Sequence, residues 1–317
     1  MGAGTAVTPP QAQPLALSSV GARRRHERDD HDSAEVTQRL FAVIGATGRQ
    51  GGAAARALLA AGAKIRALVH DPAAPAARAL AQRGAEVVPA DLDDPASLRR
   101  ALTGVHGLFA MTTFAGPKGT QGEVEHGRHI ADAARQAGVA QVVYSSVGGA
   151  ERATGIPHFE SKRRVEEYMI AVGLPTCFVR PTFFMDNFTH FFAPQQDNGV
   201  VVLRAPLAPT VPLQMIAVED IGAVAAAALF DASRVPGGAV EIAGDELTGE
   251  QIATAFGQRA SLPARFEPLP LNVVDDADQR AMFTWFTHLP AYQADFDATR
   301  RLAPGVKDFA TWLATRA

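Results

Sequence analysis

The chain has 317 residues, of which 47% are hydrophobic and 20% are charged. This is the composition of an ordinary globular protein, and it excludes a mainly disordered chain, a collagen and a coiled-coil rod. With 30 basic and 33 acidic residues the formal net charge is −3. No strong positive field therefore favours direct binding of nucleic acid or of an anionic membrane.

Cysteine content and hydropathy exclude further classes. A single cysteine, Cys177, cannot form an intramolecular disulfide or a cysteine-based zinc site. No apolar run approaches the roughly 18 residues that a membrane helix needs. We therefore expect a cytoplasmic protein that does not contact a membrane.

The first 38 residues differ in character from the rest of the chain. They are rich in Ala, Gly, Pro and Ser, and they include an arginine triplet that is followed at once by acidic residues. Low hydrophobicity and mixed charge are typical of disordered segments, and the apolar core of a signal peptide is missing. The sequence predicts a disordered extension over residues 1–38.

From residue 40 onwards, short apolar runs alternate with helix-forming segments. The predicted strands cover residues 40–44, 64–69, 86–90, 107–111, 141–145 and 176–179. The predicted helices cover residues 53–61, 73–83, a segment that begins near 94, 122–138 and about 161–173. Strands that alternate with helices of this length indicate βαβ units. We expect an α/β fold, with a Rossmann-type, doubly wound parallel sheet over residues 39–181.

The pattern becomes looser after Pro181, where prolines are frequent. A helix is predicted at 218–230, a short strand at 240–242 and another helix at 248–259. We expect residues 182–317 to form a smaller, partly helical C-terminal lobe over the edge of the sheet. A strand or helix of this lobe can return to join the main sheet.

The most informative motif is a glycine loop, residues 45–52, between the first predicted strand and the first predicted helix. Its spacing is G-x-x-G-x-x-G. Gly45 provides a tight turn, Gly48 leaves room for a phosphate, and Gly51 lets the helix pack closely on the strand. Backbone N–H groups at the start of a helix bind a pyrophosphate, which side chains would hold away. The loop predicts dinucleotide binding.

The end of the second strand bears on the choice between NAD and NADP. A carboxylate there binds the ribose hydroxyls of NAD, whereas a cation pairs with the 2′-phosphate of NADP. Asp71 lies one residue beyond the usual acidic position and can instead cap the next helix, while His70 is a weak, pH-dependent cation. Arg49 is a better placed cation than Arg66. These residues favour NADP(H), and NAD(H) is the alternative.

Two further strand ends are expected near the dinucleotide. Asp91 and Leu92 follow the third strand, where the adenine ring lies in such a fold. Asp91 can accept a hydrogen bond from the adenine amine, or it can belong to the acidic start of the next helix. Thr112 and Thr113 follow the fourth strand, beneath the expected nicotinamide ribose.

His158 and Lys162 are four residues apart and share one face of a helix. Lys162 can hold the nicotinamide ribose hydroxyls, or it can be a surface charge near Glu166. His158 can transfer the proton that accompanies a hydride, or it can be a pocket or structural residue. Ser145 and Ser146 can bind a substrate carbonyl or simply cap the fifth strand. The histidine spacings predict no metal site.

Several motifs in order resemble the NmrA-like family of atypical short-chain dehydrogenases. They are the glycine loop and residues 91–94, 155–162, 165–168, 180–188 and 244–248. The similarity runs from about Phe41 to the C-terminus. Residues 281–286 and 309–313 resemble the tail of the NmrA-like NADPH-sensor proteins.

The resemblance implies a Rossmann domain that binds NADP(H), in either a redox sensor that binds regulators or a reductase of quinones and related carbonyls. Carried over by position, the pyrophosphate-binding residues would be Gly45, Thr47, Gly48, Arg49, Gln50 and Gly51. Leu92 would lie by the adenine, and Thr112 and Thr113 by the ribose. Lys162 would bind the nicotinamide ribose. The nicotinamide would be bordered by Pro181, Thr182 and Phe184.

Two positions depart from the family pattern. His70 stands where members that prefer NADP often carry arginine, and His158 stands where dehydrogenases of the wider superfamily carry a tyrosine. Because that tyrosine normally exchanges the proton, we expect an NADP(H)-binding, redox-responsive regulator with a protein partner. The alternative is a reductase of quinones or small carbonyl compounds, in which Lys162 and His158 are the catalytic residues.

Overall fold

The structure, a computed structural model, describes residues 39–316 and residue 2. The predicted disordered extension therefore lies, except for residue 2, outside the described residues. Among residues 39–316, none of the helices has the combination of length and hydrophobicity that a membrane-spanning helix requires.

Residues 39–316 contain thirteen strands and ten α-helices. The strands are β1 (Leu40–Ile44), β2 (Lys64–Val69), β3 (Glu86–Pro89), β4 (Gly107–Met111), β5 (Gln141–Ser145), β6 (Thr176–Pro181), β7 (Phe183–Phe184), β8 (Gln195–Asp197), β9 (Val200–Ala205), β10 (Leu213–Ile216), β11 (Ala239–Ile242), β12 (Asp245–Leu247) and β13 (Ala264–Pro268). The helices are α1 (Arg49–Ala60), α2 (Pro75–Gln82), α3 (Pro95–Leu102), α4 (Gly119–Gln136), α5 (Pro157–Ala171), α6 (Val218–Phe230), α7 (Gly249–Ala260), α8 (Ala277–Phe286), α9 (Phe296–Leu302) and α10 (Phe309–Ala314).

Seven of these strands form one parallel sheet in the order β3-β2-β1-β4-β5-β6-β11. The doubly wound α/β sheet predicted from the sequence is confirmed. The chain reverses its direction of travel across the sheet between β1 and β4. At such a reversal the connections diverge and leave a crevice at the carboxyl ends of the strands, where ligands bind in open α/β sheets.

Helices cover both faces of this sheet. Phe41 and Val43 of β1 pack with α1, α2 and α6 in one apolar core. Ala42 and Ile44 face the opposite side and pack with α3, α4 and α5. Because successive side chains of a strand point to opposite faces, an uninterrupted apolar run is what a strand covered on both sides requires.

The helix α6 packs very closely on α1. A Cβ atom added to Gly222 would lie 2.4 Å from the carbonyl carbon of Ala53, so the two backbones touch where only glycine fits. Helix α6 and strand β11 both come from beyond residue 181, yet they belong to the layers of the main sheet. The domain division between residues 181 and 182 stays a prediction.

The smaller lobe consists of α7, α8 and α10 with two three-stranded mixed sheets, β12-β10-β7 and β13-β9-β8. Its core is strongly aromatic and includes Phe188, Phe309 and Trp312, all fully buried. Phe159 from the start of α5 belongs to the same core. The lobe therefore packs directly against the segment that carries His158.

The starts of α1 and α5 differ most from the prediction, while α2 begins at Pro75 rather than at residue 73 and α4 at Gly119 rather than at residue 122. Helix α1 begins at Arg49 rather than at residue 53, and α5 begins at Pro157 rather than near residue 161. Glycine and proline weaken the interior of a helix, so the sequence pattern placed both helices after them. At the first turn they are favourable, because Gly48 serves as the N-cap of α1 and the fixed φ of Pro157 suits the first position.

Candidate functional site

The glycine loop makes a tight turn from β1 into α1. Gly45 has φ = +64°, and its carbonyl accepts the N–H of Gly48 at 2.8 Å. A Cβ atom at Gly51 would lie 2.2 Å from that same carbonyl oxygen. A side chain at Gly51 is therefore incompatible with the turn, which places the first turn of α1 directly behind the end of β1.

The start of α1 can bind an anion. Its N-cap, Gly48, carries no side chain to satisfy the first N–H groups. The N–H groups of Arg49, Gln50 and Gly51 belong to the first turn and have no acceptor within the helix. Together with the helix dipole they suit a pyrophosphate. Thr47 and Arg49 are exposed beside them.

A cavity of about 410 Å³ lies at the ends of β2 and β3, against α3. His70 and Asp91 line it together with Arg100. The Asp91 carboxylate accepts the N–H of Asp93 at 2.9 Å, in the turn before α3, while Leu92 is partly buried against the sheet. The geometry agrees with a turn-forming role for Asp91, and none of the described residues donates a hydrogen bond to its second carboxylate oxygen.

Two other residues that the sequence offered near the 2′-phosphate of NADP, Arg66 and Asp71, form hydrogen bonds within the protein. Arg66 lies on the sheet face, as expected, where it donates to Glu86 at 2.9 Å and to the carbonyl of Ala101 at 2.8 Å. Asp71 accepts the N–H of Ala73 at 2.8 Å, which is the capping role anticipated as its alternative. Arg49, which lies within the glycine loop, is thus the candidate arginine that is exposed.

A larger cavity of about 740 Å³ opens at the carboxyl ends of β4, β5 and β6. Nine of the predicted candidate residues line it, namely Gln50, Thr112, Thr113, Ser146, His158, Lys162, Pro181, Thr182 and Phe184. Aromatic and other apolar side chains of the lobe form much of the remaining wall, among them Phe191, Phe192, Val274, Met282 and Phe283. The site is therefore polar on the sheet side and apolar on the lobe side.

Lys162 is buried at the sheet side of this cavity, with 8% of its surface exposed. Its Nζ donates to the carbonyl oxygen of Thr112 at 2.6 Å and lies 2.9 Å from the carboxylate of Glu123. Glu166, the alternative partner, instead pairs with Arg180 at 2.7 Å. The interpretation of Lys162 as a surface charge near Glu166 is wrong.

Glu123 is the centre of a buried polar network that sequence reasoning missed. It has no exposed surface, and it accepts hydrogen bonds from Thr112 at 3.2 Å and from Ser161. It comes from α4, 39 positions before Lys162, and no local spacing links the two residues. A buried carboxylate needs such a set of partners, since an unpaired charge in the interior is costly.

Tyr144 lies beside Lys162 but cannot replace the missing tyrosine. The Nζ of Lys162 is 5.4 Å from the centre of its ring, and its hydroxyl lies 2.7 Å from the Oγ1 of Thr112. The side chain is completely buried beneath the cavity. Burial, and then the negative charge of Glu123, raise the pKa of Tyr144 well above its usual value. Tyr144 is therefore a structural residue.

His158 forms part of the cavity wall and is held on three sides. Its ring stacks on Phe114 at 4.7 Å and meets the edge of Phe159 at 4.8 Å between ring centres. Its Nδ1 contacts the carboxylate of Asp278, in the first turn of α8. Asp278 was not predicted, because 120 positions separate it from His158 and no motif connects them.

The two serines at the end of β5 have different roles. The hydroxyl of Ser145 donates to the side-chain oxygen of Gln50 at 2.6 Å and thereby ties β5 to the start of α1. The hydroxyl of Ser146 is buried without a partner among the described residues, and Ser146 lines the larger cavity. An unpaired buried hydroxyl at a cavity wall suits a ligand that supplies the missing hydrogen bond.

The hydroxyl of Thr182, another residue of the cavity wall, donates to the carbonyl of Ile242 at 3.1 Å.

No cluster of three or more His, Cys, Asp or Glu side chains that could hold a metal ion occurs in the described part of the chain.

A profile of the NmrA-like family matches residues 37–308. The chain belongs to the NmrA-like family. It is 31% identical over 260 residues to the NmrA-like family domain-containing oxidoreductase hkm9 of Aspergillus hancockii, across 74% of this chain and 76% of hkm9. It is 30% identical over 243 residues to the NAD(P)H azoreductase of Xenophilus azovorans, across 75% of this chain and 80% of the azoreductase.

The fold is shared with a solved structure of the same family. The crystal structure of NmrA, a negative transcriptional regulator, in complex with NADP superimposes with a TM-score of 0.72. The match covers 87% of this chain and 94% of NmrA at 24% sequence identity. At this level of identity the comparison supports the fold and not a shared activity.

Replacing Lys162 tests the buried network. Lys162→Met removes the cation from beside the buried carboxylate of Glu123, so we expect the free energy of unfolding to fall by about 3–5 kcal/mol. Adding Glu123→Gln to this variant should restore part of that loss, because glutamine keeps hydrogen bonds to Thr112 and Ser161 without a charge. Urea-induced unfolding followed by circular dichroism measures both effects.

The matched control is Lys118→Met, which breaks the exposed Lys118–Glu125 ion pair at the start of helix α4. Exposed pairs contribute little, so its unfolding midpoint should stay close to that of the parent. A Lys162→Met protein as stable as the parent would contradict the assignment, as would a double variant no more stable than Lys162→Met alone.

Proposed function

We propose that this NmrA-like protein binds NADP(H) and reduces a planar, uncharged carbonyl compound or quinone. The observation that carries the proposal is the 740 Å³ cavity beside the glycine loop, with Lys162, Ser146 and the partnered His158 in its wall. Concave, mainly apolar sites with a few convergent polar groups are where enzymes bind small molecules. An NAD(P)H azoreductase among its relatives supports the reductase hypothesis.

The residues of the glycine loop fit the pyrophosphate of a nicotinamide dinucleotide. Gly48 leaves the start of α1 uncovered, and the N–H groups of Arg49, Gln50 and Gly51 would donate to the phosphate oxygens. The guanidinium of Arg49 would pair with the 2′-phosphate, which favours NADP(H) over NAD(H). Lys162 would bind the nicotinamide ribose from the wall of the larger cavity. When bound there, NADPH supplies a hydride.

The side chains of the cavity provide what a hydride acceptor needs in addition. The hydroxyl of Ser146 has no partner within the described structure, and it would donate to the acceptor's oxygen and orient it. His158 would give a proton to the oxygen of the same carbonyl group whose carbon takes the hydride. A carbonyl thereby becomes an alcohol. A quinone becomes a hydroxycyclohexadienone, which loses the proton on that carbon, gains one on its second carbonyl oxygen and so becomes the hydroquinone.

The lobe side of the cavity selects the acceptor by its polarity. Phe192, Met282 and Phe283 offer a surface for a flat apolar molecule and keep water from the reacting atoms. Glu123 and the His158–Asp278 pair place carboxylates close to the polar end. We therefore propose neutral planar acceptors and expect anionic ones to react poorly.

The second candidate function is the redox-responsive regulator that the sequence favours. Its support is the lack of a usable tyrosine beside Lys162: His158 occupies that position, and Tyr144 is buried with a raised pKa. A regulator of this kind would bind NADPH and a protein partner without consuming NADPH. The two functions differ in one observable, which is the turnover of NADPH in the presence of an acceptor.

Cofactor preference provides one prediction. NADPH should bind more tightly than NADH, and Arg49→Ala should reduce the affinity for NADPH by roughly 10- to 100-fold while leaving NADH binding nearly unchanged, since a charged hydrogen-bonded contact is worth about 1.5–3 kcal/mol. Isothermal titration calorimetry measures both dissociation constants. The control is Arg56→Ala, which removes an exposed arginine further along the same helix. Equal affinities for the two dinucleotides in the parent would contradict the preference.

Catalysis provides another prediction. The parent should oxidise NADPH in the presence of at least one member of a panel of quinones and enals. His158→Gln, which keeps an N–H donor for Asp278 but exchanges no proton, should lower kcat by about 100-fold or more without changing NADPH affinity. The decrease in NADPH absorbance follows the reaction.

The control for this variant is Tyr292→Phe, which removes the hydroxyl of another ring that lines the cavity. Burial and the charge of Glu241 raise the pKa of Tyr292, so it is a poor proton donor and its loss should cost little activity. Tight NADPH binding with no turnover on any acceptor would contradict the reductase and favour the regulator. Full activity in His158→Gln would exclude His158 as the proton donor.

A further inference from the structure

We propose that Asp278 is the positioning residue for His158, so that a carboxylate of the lobe orients the proton donor at the edge of the main sheet. The proposal rests on the reductase function proposed above and names a residue in a part of the chain that no motif identified. Its basis is the contact between the Asp278 carboxylate and Nδ1 of His158. Both side chains are largely buried, with 15% of Asp278 and 11% of His158 exposed.

This contact determines which ring nitrogen faces the substrate. The ionised carboxylate accepts hydrogen bonds only, so the Nδ1 it contacts must carry a proton. Among the described residues, none forms a hydrogen bond with Nε2, and His158 lines the larger cavity. When the ring carries two protons, Nδ1–H therefore stays on Asp278 and Nε2–H is left for the substrate oxygen.

The surroundings hold the ring in this orientation. Phe114 stacks on the imidazole with an interplanar angle of 26°, and Phe159 meets it at 88°. Neither aromatic ring can form a conventional hydrogen bond with Nδ1 or Nε2, so they restrict the plane of the imidazole but not which nitrogen faces the cavity. The carboxylate of Asp278 determines this, because it binds Nδ1 and leaves Nε2 toward the cavity.

The position of Asp278 in α8 suits an ionised carboxylate. It lies in the first turn of the helix, whose N-cap is Asp276, and a negative charge is favourable at a helix N-terminus. Trp285, seven residues later on the same helix, packs edge-on against Phe159 at 5.5 Å. Two contacts from α8, one polar and one aromatic, therefore hold the helix against the start of α5.

In the proposed step, the hydride comes from NADPH and the proton comes from His158. Bound at the glycine loop, NADPH would supply the hydride that adds to the carbonyl carbon, and NADP⁺ would remain. The doubly protonated His158 gives its Nε2 proton to the carbonyl oxygen, and the C=O double bond becomes a C–O single bond. The ring keeps its Nδ1 proton on Asp278, and solvent returns a proton to Nε2 before the next turnover.

Replacing Asp278 by asparagine separates positioning from packing. Asp278→Asn keeps the size of the side chain, but an amide N–H in place of a carboxylate oxygen favours a proton on Nε2 instead of Nδ1. The doubly protonated ring, which is the proton donor, then lacks a negatively charged acceptor for its Nδ1–H group, so fewer molecules hold the proton that the carbonyl oxygen takes. We expect kcat to fall by at least about tenfold, toward the loss in His158→Gln, while KM and the NADPH dissociation constant stay within about twofold.

Three further measurements distinguish positioning from a structural role. Asp278→Glu should recover part of kcat, because it restores a carboxylate. In Asp278→Asn the solvent isotope effect should rise, because proton transfer becomes slower relative to hydride transfer. Asp276→Asn, which removes a charge from the same end of α8 and keeps a capping side chain, should leave kcat unchanged.

The contact itself is tested without any turnover. In the parent, ¹⁵N NMR of the His158 side chain should show the neutral ring protonated on Nδ1, and Asp278→Asn should shift the population toward Nε2. If the parent turns over no acceptor but shows this Nδ1 form, the proposed function fails while the positioning geometry stands. A ring protonated on Nε2 in the parent, or an Asp278→Asn variant with normal kcat, would overturn the inference.

Discussion

The site depends on one close approach of the backbone to itself. The carbonyl oxygen of Gly45 and the Cα of Gly51 lie so near each other that any side chain at Gly51 would collide with the carbonyl. This contact starts α1 immediately after β1 and turns the uncapped N–H groups of its first turn toward the carboxyl edge of the sheet. The larger cavity, Lys162 and His158 lie at the same edge, so a dinucleotide bound by these N–H groups would lie beside them.

A second constraint organises the polar side of the cavity. Lys162 of α5 reaches across to Thr112 at the end of β4 and to Glu123 of α4, so one ammonium group connects three elements that meet at the cavity. Taking two charges out of water is expensive, and well-packed apolar residues could fill the space at no loss of stability. The pair is better explained by the position it gives to an ammonium group in the cavity wall.

The sequence was informative where local chemistry decides the outcome. The bounds of β1, β2, β4 and β5 were predicted to the residue, because a strand buried on both faces is a short apolar run with clear ends. The starts of α1 and α5 were missed, because Gly48 and Pro157 weaken a helix in its interior but favour its first turn. The glycine loop identified the edge of the sheet from spacing and context alone.

The partners of the candidate residues could not be predicted in the same way. Glu123 and Asp278 meet Lys162 and His158 only after α4 and α8 have packed, and their distance along the chain carries no periodic signal. The sequence likewise left Glu166 open as the partner of Lys162, whereas Arg180 at the end of β6 takes that carboxylate. Long-range pairing of charges depends on topology, which local patterns do not encode.

The binding of NADPH to a variant with a side chain at Gly48 tests the central claim most directly. Gly48 has φ = −87°, which any residue can adopt. A Cβ there would lie 3.2 Å from the carbonyl oxygen of Gly45, a tight contact that a small shift of the turn relieves, so Gly48→Leu should still fold, and urea-induced unfolding measures the stability it loses. The account predicts a circular dichroism spectrum like that of the parent and no measurable heat of NADPH binding in calorimetry. A folded Gly48→Leu protein that binds NADPH as tightly as the parent would contradict it.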